Sequence, residues 1–328
     1  MKSKYGLKSL LIIILSLVVS VKIMSQNRVL QTVVIDEKLI EFETLDGRLD
    51  GVLNVYNADT SSGKKQILAE GHIKNNCRSG IWKIYHPKNI GEVVLEREYT
   101  SLFRYKMTKY PMQNNSLVGF IHNNLNPYLG FDSLNCRKLD YISAANVQQS
   151  NRIWRDLTKE KNAFLFSERL TKEWNKIMQD ENVKIYGTDD FKYVLGEKPV
   201  NISTESIISF RIKEDYVFDK NRLIGEYRIL GLAPVIYDSL TRENREIGWF
   251  YYPQIRSSLV KVNVEFENEQ INVDEVFLNR IFSSFVYKTS RINSDENTKT
   301  INHYLDLSML LFEHNCWLFY AGYLTEIH

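Results

Sequence analysis

Acid–base chemistry needs carboxylates held near one another. The chain offers two such groups, Glu214, Asp215 and Asp219 close together, and the adjacent pair Asp189 and Asp190. Either group could act as acid and base or hold calcium. No spacing rule fixes their geometry, however, and Arg211, Lys213 and Lys220 stand among the first group, so a solvated, salt-bridged edge is the better reading. His314 and Cys316 lie two apart in a stretch of helical spacing and therefore do not share a face, whereas zinc needs three or four converging ligands. His72, His86, His122 and His303 are scattered and read as surface or packing histidines. There is no H-E-x-x-H, G-x-S-x-G, glycine-rich phosphate loop or Cys-x-x-Cys, so no catalytic residue, metal ligand or cofactor site is expected. Cys77, Cys136 and Cys316 allow at most one internal disulfide; each reads as a buried or half-buried thiol, and whether any two pair is left open. The types that suggest a different task are Arg152, Trp154 and Arg155. Arginine and tryptophan are enriched where proteins bind one another, although packing of the domain's own N-terminal helix is an equally open reading.

The elements that must position these residues are clearest from 205 to 292. Ile208, Phe210 and Ile212 alternate with Ser209, Arg211 and Lys213, the period of a strand with one wet and one dry face. The polar run Asp219 to Arg222 is a turn signal, and Leu223 to Leu232 completes a hairpin. Val235 to Tyr237 and Trp249 to Tyr252 are aromatic or β-branched runs suited to further strands, which gives a small antiparallel sheet. Asn272-Val-Asp-Glu275 carries the signal of a capping box, with acids at the positive end of a helix dipole. The stripes Phe277, Ile281, Phe285 and Leu278, Phe282, Val286 predict a helix over 273–288 with more apolar arc than one packing face requires. Leu170, Trp174 and Ile177 predict a helix over 168–182. Ile301, Leu305, Met309, Phe312, Cys316 and Phe319 predict a C-terminal one.

Toward the N-terminus, Lys2, Lys4 and Lys8 precede the apolar run Leu10 to Val21, which is too short to span a membrane and has the layout of a secretory signal. Cleavage after Ser25 would leave a mature chain from Gln26 in the periplasm. Loss of Lys2, Lys4, Lys8 and Lys22 would take the net charge from +2 to −2. Such near-neutrality argues against a nucleic-acid partner. Composition, 44% hydrophobic and 25% charged, is that of a globular chain. Gly51-Val-Leu-Asn-Val-Tyr56 aligns with Gly80-Ile-Trp-Lys-Ile-Tyr85, preceded by Gly47 and Gly71, as in a repeat; this resembles the MORN class of repeats. The expectation is α+β: a MORN-like antiparallel β-repeat domain over 26–105, folding separately; an irregular, Asn- and Pro-containing linker or arm over 106–140; and a mixed domain over 141–328 with a small antiparallel sheet and flanking helices.

The blocks Phe210 to Lys220, Arg228 to Pro234, Trp249 to Pro253 and Asp274 to Phe285 resemble, in order, the GldN/PorN family of gliding motility and type IX secretion. The resemblance begins near Tyr141. Arg152, Trp154 and Arg155 are similar to an entry motif in which a short helix ends, and Phe312 to Trp317 to the family's closing helix. The resemblance implies a non-enzymatic periplasmic ring component on the inner face of the outer membrane. Its implied partners are an outer-membrane lipoprotein of the GldK/PorK type, an inner-membrane motor protein of the GldM/PorM type, and further copies of itself. The alternative is a secreted periplasmic MORN-type binding protein or an uncharacterised envelope enzyme. The contact candidates are Arg152, Trp154 and Arg155, the Phe210 to Phe218 strand taken as an exposed edge (Phe210, Arg211, Lys213, Glu214, Asp215), Phe282 and Trp317.

Overall fold

The computed structural model describes residues 28–57, 65–101, 104–109, 130–197, 202–203, 205–238, 241–290 and 303–327. Residues 1–25, where a secretory signal is expected, most of the expected linker and Ile301 lie outside them. The chain is α+β, and its N-terminal part is an antiparallel meander in simple chain order: β1 (Arg28–Ile35), β2 (Lys38–Leu45), β3 (Arg48–Asn57), β4 (Gln66–Lys74), β5 (Cys77–Tyr85), β6 (Val93–Ser101) and β7 (Arg104–Lys109). Its tight hairpins place both central residues at positive φ, at Asp36-Glu37, Asp46-Gly47 and Asn75-Asn76, the turn whose twist suits paired strands.

The repeat is physical. Gly51 in β3 and Gly80 in β5 both take positive φ (127° and 61°), and the residues that follow drop Leu53 and Val55, or Trp82 and Ile84, onto the buried face. The two preceding glycines differ in role. Gly47 makes a turn, whereas Gly71 in β4 lies under the Trp82 indole, where a Cβ would come within 2.3 Å of the ring. The indole nitrogen donates to the His72 carbonyl at 2.9 Å.

The second sheet has the order β16-β8-β10-β11-β13-β9, with β12 on β11. Its strands are β8 (Val147–Thr158), β9 (Ile185–Tyr186), β10 (Ile207–Asp219), β11 (Ile224–Asp238), β12 (Glu243–Glu246), β13 (Trp249–Tyr251) and β16 (Phe285–Thr289). The hairpin β14 (Asn263–Phe266) and β15 (Glu269–Asn272) stands apart from it. Helix α1 (Glu168–Gln179) starts where the Ser167 hydroxyl accepts from the Leu170 N–H, and buries Leu170, Trp174 and Ile177 as their spacing predicts. Together with α2 (Tyr252–Leu259) and α3 (Val273–Leu278) it covers one half of the inner sheet face around Phe210, Ile212 and Phe250.

Four local expectations change. The segment around Arg152, Trp154 and Arg155 is not a helix but strand β8, paired to β10 and β16; Val147, Ile153 and Trp154 suit that pleat. Helix α3 stops at Leu278, because Arg280 takes φ +56° and its side chain turns into the core. The chain then reverses and residues 285–289 run as strand β16, so the two apolar stripes belong to a turn as well as a helix. Asn272 does cap, accepting from the Glu275 N–H at 2.8 Å, but the Glu275 carboxylate is held by Arg137 and Asn279 instead of closing a capping box. The Phe210 to Phe218 strand is also not an edge, since β8 and β11 flank it on both sides.

The two halves share a core. Helix α4 (Tyr304–Tyr320) lies between the meander and the second sheet, and a single cluster contains Phe42, Leu53, Trp82 and Ile84 together with Ile153, Phe218, Leu307 and Trp317. Across this seam the Arg78 guanidinium sits between the rings of Trp82 and Trp317, at 4.8 and 4.4 Å from their centroids. Arg78 also pairs with Glu313, both side chains being almost fully buried. Arg97 lies 4.0 Å from the ring centroids of both Trp317 and Tyr105, and its guanidinium donates to the Leu223 carbonyl. Asn76 donates to the carbonyls of Arg280 and Phe282. A charge enclosed in this way is tolerated only when paired or stacked.

Candidate interaction face

Strand alternation divides the sequence candidates into two sets. On β10 and β8, Arg211, Lys213, Asp215, Arg152 and Trp154 point away from the core, with Lys213 opposite Trp154 and Asp215 opposite Arg152. Phe210, Glu214 and Arg155 point inward. Phe282 and Trp317 are also inside, at 1% and 0% exposure. These five side chains hold the fold and are not part of the presented surface.

The outward set forms a braced face. Arg152 grips Asp215 through two hydrogen bonds of 2.7 and 2.9 Å. Arg211 pairs with Glu246 and lies 4.9 Å from the Tyr287 ring centroid. The loop after β9 folds over the centre. There the Trp154 indole N–H donates to the Asp189 carboxylate, and Lys213 donates to the Asp189 carbonyl from between the Trp154 and Phe191 rings. Lys288 covers Trp154 at 4.2 Å. Gly231 makes room for Phe191, whose ring would lie 2.5 Å from an added Cβ. Burial lowers the pKa of Lys213, opposed by the nearby Asp189. Around this brace stand exposed Tyr193, Val194 and Tyr251, at 69%, 52% and 38%. Asp189 was legible only as one of an acidic pair with Asp190, and nothing in the spacing linked it to Trp154. Tyr287 and Lys288 fell inside the expected helix and were missed.

Beneath the face lies a charge-balanced cluster. Glu214 accepts from Arg155 at 2.5 Å and from Arg280 at 2.7 Å, Arg155 also holds Asp306, and the Tyr227 hydroxyl donates to Asp306 at 2.7 Å. Burial disfavours both carboxylates' charged forms. The facing guanidiniums outweigh it, keeping Glu214 below its ordinary pKa and Asp306 well below the usual carboxylate range. Glu214 is therefore an ionised acceptor with 0% exposure, sealed from any substrate. The cavity beside it, about 40 Å³, is bordered by Tyr216, Tyr227, Asp306 and Glu313, room for about one water molecule. Among the described residues no three His, Cys, Asp or Glu side chains are grouped to hold a metal. The three cysteines are free thiols, and burial raises Cys77 and Cys316 to about 12.

His314 carries a pH signature. It is 3% exposed, its Nδ1 has no hydrogen-bond partner, and burial, with Arg78 and Lys38 nearby, lowers its pKa from 6.5 to about 3. Below pH 6.5 the unfolded chain takes up a proton that the folded chain refuses, so stability falls as pH drops toward 3, by up to about 1.4 kcal/mol per pH unit. His303, also lowered by burial, adds to the same slope. Urea midpoints measured from pH 6.5 to 5 should decline clearly in the native chain and less in His314→Leu, the difference between the two setting aside carboxylates such as Glu313 and Asp156, which burial raises. An unchanged slope in the variant would exclude His314 as a source.

Fold and face together define an α+β protein that presents a rigid, salt-bridged and aromatic sheet surface over a sealed ionic core. Residues 142–314 match the family model described as gliding motility associated protein GldN. The match spans more than half of the chain, and the chain belongs to the GldN family, components of gliding motility and type IX secretion. No curated protein matches the chain. No described helix is long and apolar enough to cross a membrane.

Proposed function

We propose that this chain is a non-enzymatic structural component of the type IX secretion and gliding machinery. In this reading it works in the periplasm at the inner face of the outer membrane, joins an outer-membrane lipoprotein of the GldK/PorK type in a ring, and meets the periplasmic part of a GldM/PorM-type motor. The observation that carries the reading is the family match over 142–314, which contains the whole braced face. Ring subunits must offer two complementary surfaces, and a sheet face pre-ordered by Arg152–Asp215 and Trp154–Asp189 loses little entropy when it docks. Arg152, Arg211 and Asp215 are our contact candidates, with Tyr193 and Tyr251 as exposed aromatic anchors, whereas Trp154 and Lys213, at 7% and 5% exposure, brace the face from beneath the loop after β9 and are not direct contacts.

Deletion of the gene should abolish secretion or gliding, and the tagged protein should recover the lipoprotein from envelope fractions. Tyr193→Ala with Tyr251→Ala should weaken that association by at least about 2 kcal/mol, the size of a binding hot spot, with circular dichroism unchanged. Full binding by the folded double variant would exclude this face. The MORN-like sheet lies outside the matched residues and keeps a second reading open, that of a MORN-type binding protein. Under that reading deletion would leave secretion and gliding intact.

A further inference from the structure

We infer that strand β1 is a homodimer seam, pairing antiparallel with β1 of a second copy about a two-fold axis through Thr32. Among the described residues β1 is bonded on one side only, to β2. Its eight residues therefore offer an uninterrupted row of backbone groups to another strand, an arrangement that soluble proteins normally blunt with lysine, proline or a bulge. None of those devices is present: the β1–β2 register is continuous, and the sequence Arg-Val-Leu-Gln-Thr-Val-Val-Ile has no lysine or proline.

The side chains select the occupant. Val33 and Ile35 face the shared core, so Leu30, Thr32 and Val34 face outward, and Leu30 and Val34 are 68% and 58% exposed. A two-fold axis perpendicular to the sheet maps each face onto itself, so only residues of one face can lie opposite each other. With the axis at Thr32, Leu30 meets Val34 of the second copy, Val34 meets Leu30, and Thr32 meets itself. Two exposed apolar pairs are thereby covered, of the kind that stabilises strand pairing. Arg28, on the same face, reaches back over β2 to pair with Glu43 and Asp50, so its charge is already matched within the chain and does not oppose a second copy at the edge. Apolar complementarity of Leu30 with Val34 thus selects this register. Because the seam lies outside residues 142–314 and is isologous, it does not depend on the proposed function.

Single-cysteine variants of the full chain test the register, as the native thiols are buried or half-buried. Under mild oxidation or with a short bis-maleimide, Thr32→Cys should form a covalent dimer. Leu30→Cys alone should not, but mixed with Val34→Cys it should. Leu30→Lys with Val34→Lys, at exposed positions, should raise the dimer dissociation constant at least tenfold in sedimentation equilibrium, with circular dichroism unchanged. The inference is overturned if the native chain is monomeric at all concentrations. It is equally overturned if folded Thr32→Cys fails to cross-link, if Leu30→Cys cross-links alone as well as Thr32→Cys does, or if hydrogen exchange finds the β1 edge amides protected in the monomer, which would mean that the chain covers its own edge.

Discussion

Glu214→Gln should lower the unfolding free energy by about 3–5 kcal/mol, the loss found when one partner of a buried ion pair is removed. Glu214 is the acceptor for both Arg155 and Arg280, whose side chains are 2% and 3% exposed. In the variant two enclosed guanidiniums would share one remaining carboxylate, Asp306, and the neutral amide would turn an N–H donor toward groups that can only donate. Arg280 would keep its 3.8 Å stacking on Tyr227, which is worth far less than the charge partner. The measurement is a urea midpoint at neutral pH. The double variant Glu214→Gln, Arg280→Met should recover part of the loss, because the orphaned charge leaves with its carboxylate, and a double-mutant cycle isolates that coupling. A loss below 1 kcal/mol in Glu214→Gln would mean that water reaches the cluster and that it is not the sealed centre described above.

The limit of the sequence runs through this cluster. The wet and dry faces of β10 were legible, because alternation of Ile208, Phe210 and Ile212 with charged neighbours is local. That Glu214 belongs to the dry face was not, since a glutamate beside Asp215 reads as solvated until Arg155 and Arg280 arrive from distant segments. Arg152, Trp154 and Arg155 were recognised as a unit, yet the strand that carries them sends the first two outward and the third inward, a distinction that a helical assignment conceals. Capping was read correctly at Asn272, whereas the end of α3 was not: Arg280 takes a left-handed conformation that few non-glycine residues adopt, for the sake of its charge partner. The core of α1 followed from helical spacing, but that of α4 did so only in part: Leu305, Met309 and Cys316 are buried, whereas Phe312 and Phe319 are half-buried and Leu307, Leu311 and Trp317, off the expected stripe, are buried because the helix is enclosed on several sides. The contact between the halves could not be read from spacing, because pairs such as Arg78 with Glu313 leave no periodic trace.

That contact sets the second large effect. From the sequence the MORN-like stretch would fold by itself and its loss would leave the remainder intact, but the shared core argues for coupled unfolding. Trp82→Ala removes a 2%-exposed indole from above Gly71 and takes away one of the two rings that enclose Arg78, opening a cavity worth about 3–5 kcal/mol. Arg78 and Glu313 would then be wetted, and helix α4, which buries Cys316, Trp317 and Leu318 at the same seam, would lose its packing. We therefore expect one cooperative transition, with tryptophan fluorescence and far-ultraviolet circular dichroism shifting together. Native-state hydrogen exchange should show β5 and β10 losing protection by the same free energy, as members of one cooperative unit. The opposite pattern is well defined: if limited proteolysis of Trp82→Ala digests residues 28–109 and leaves a folded fragment from about residue 141 onward, the halves are separable domains and the seam contributes little to either.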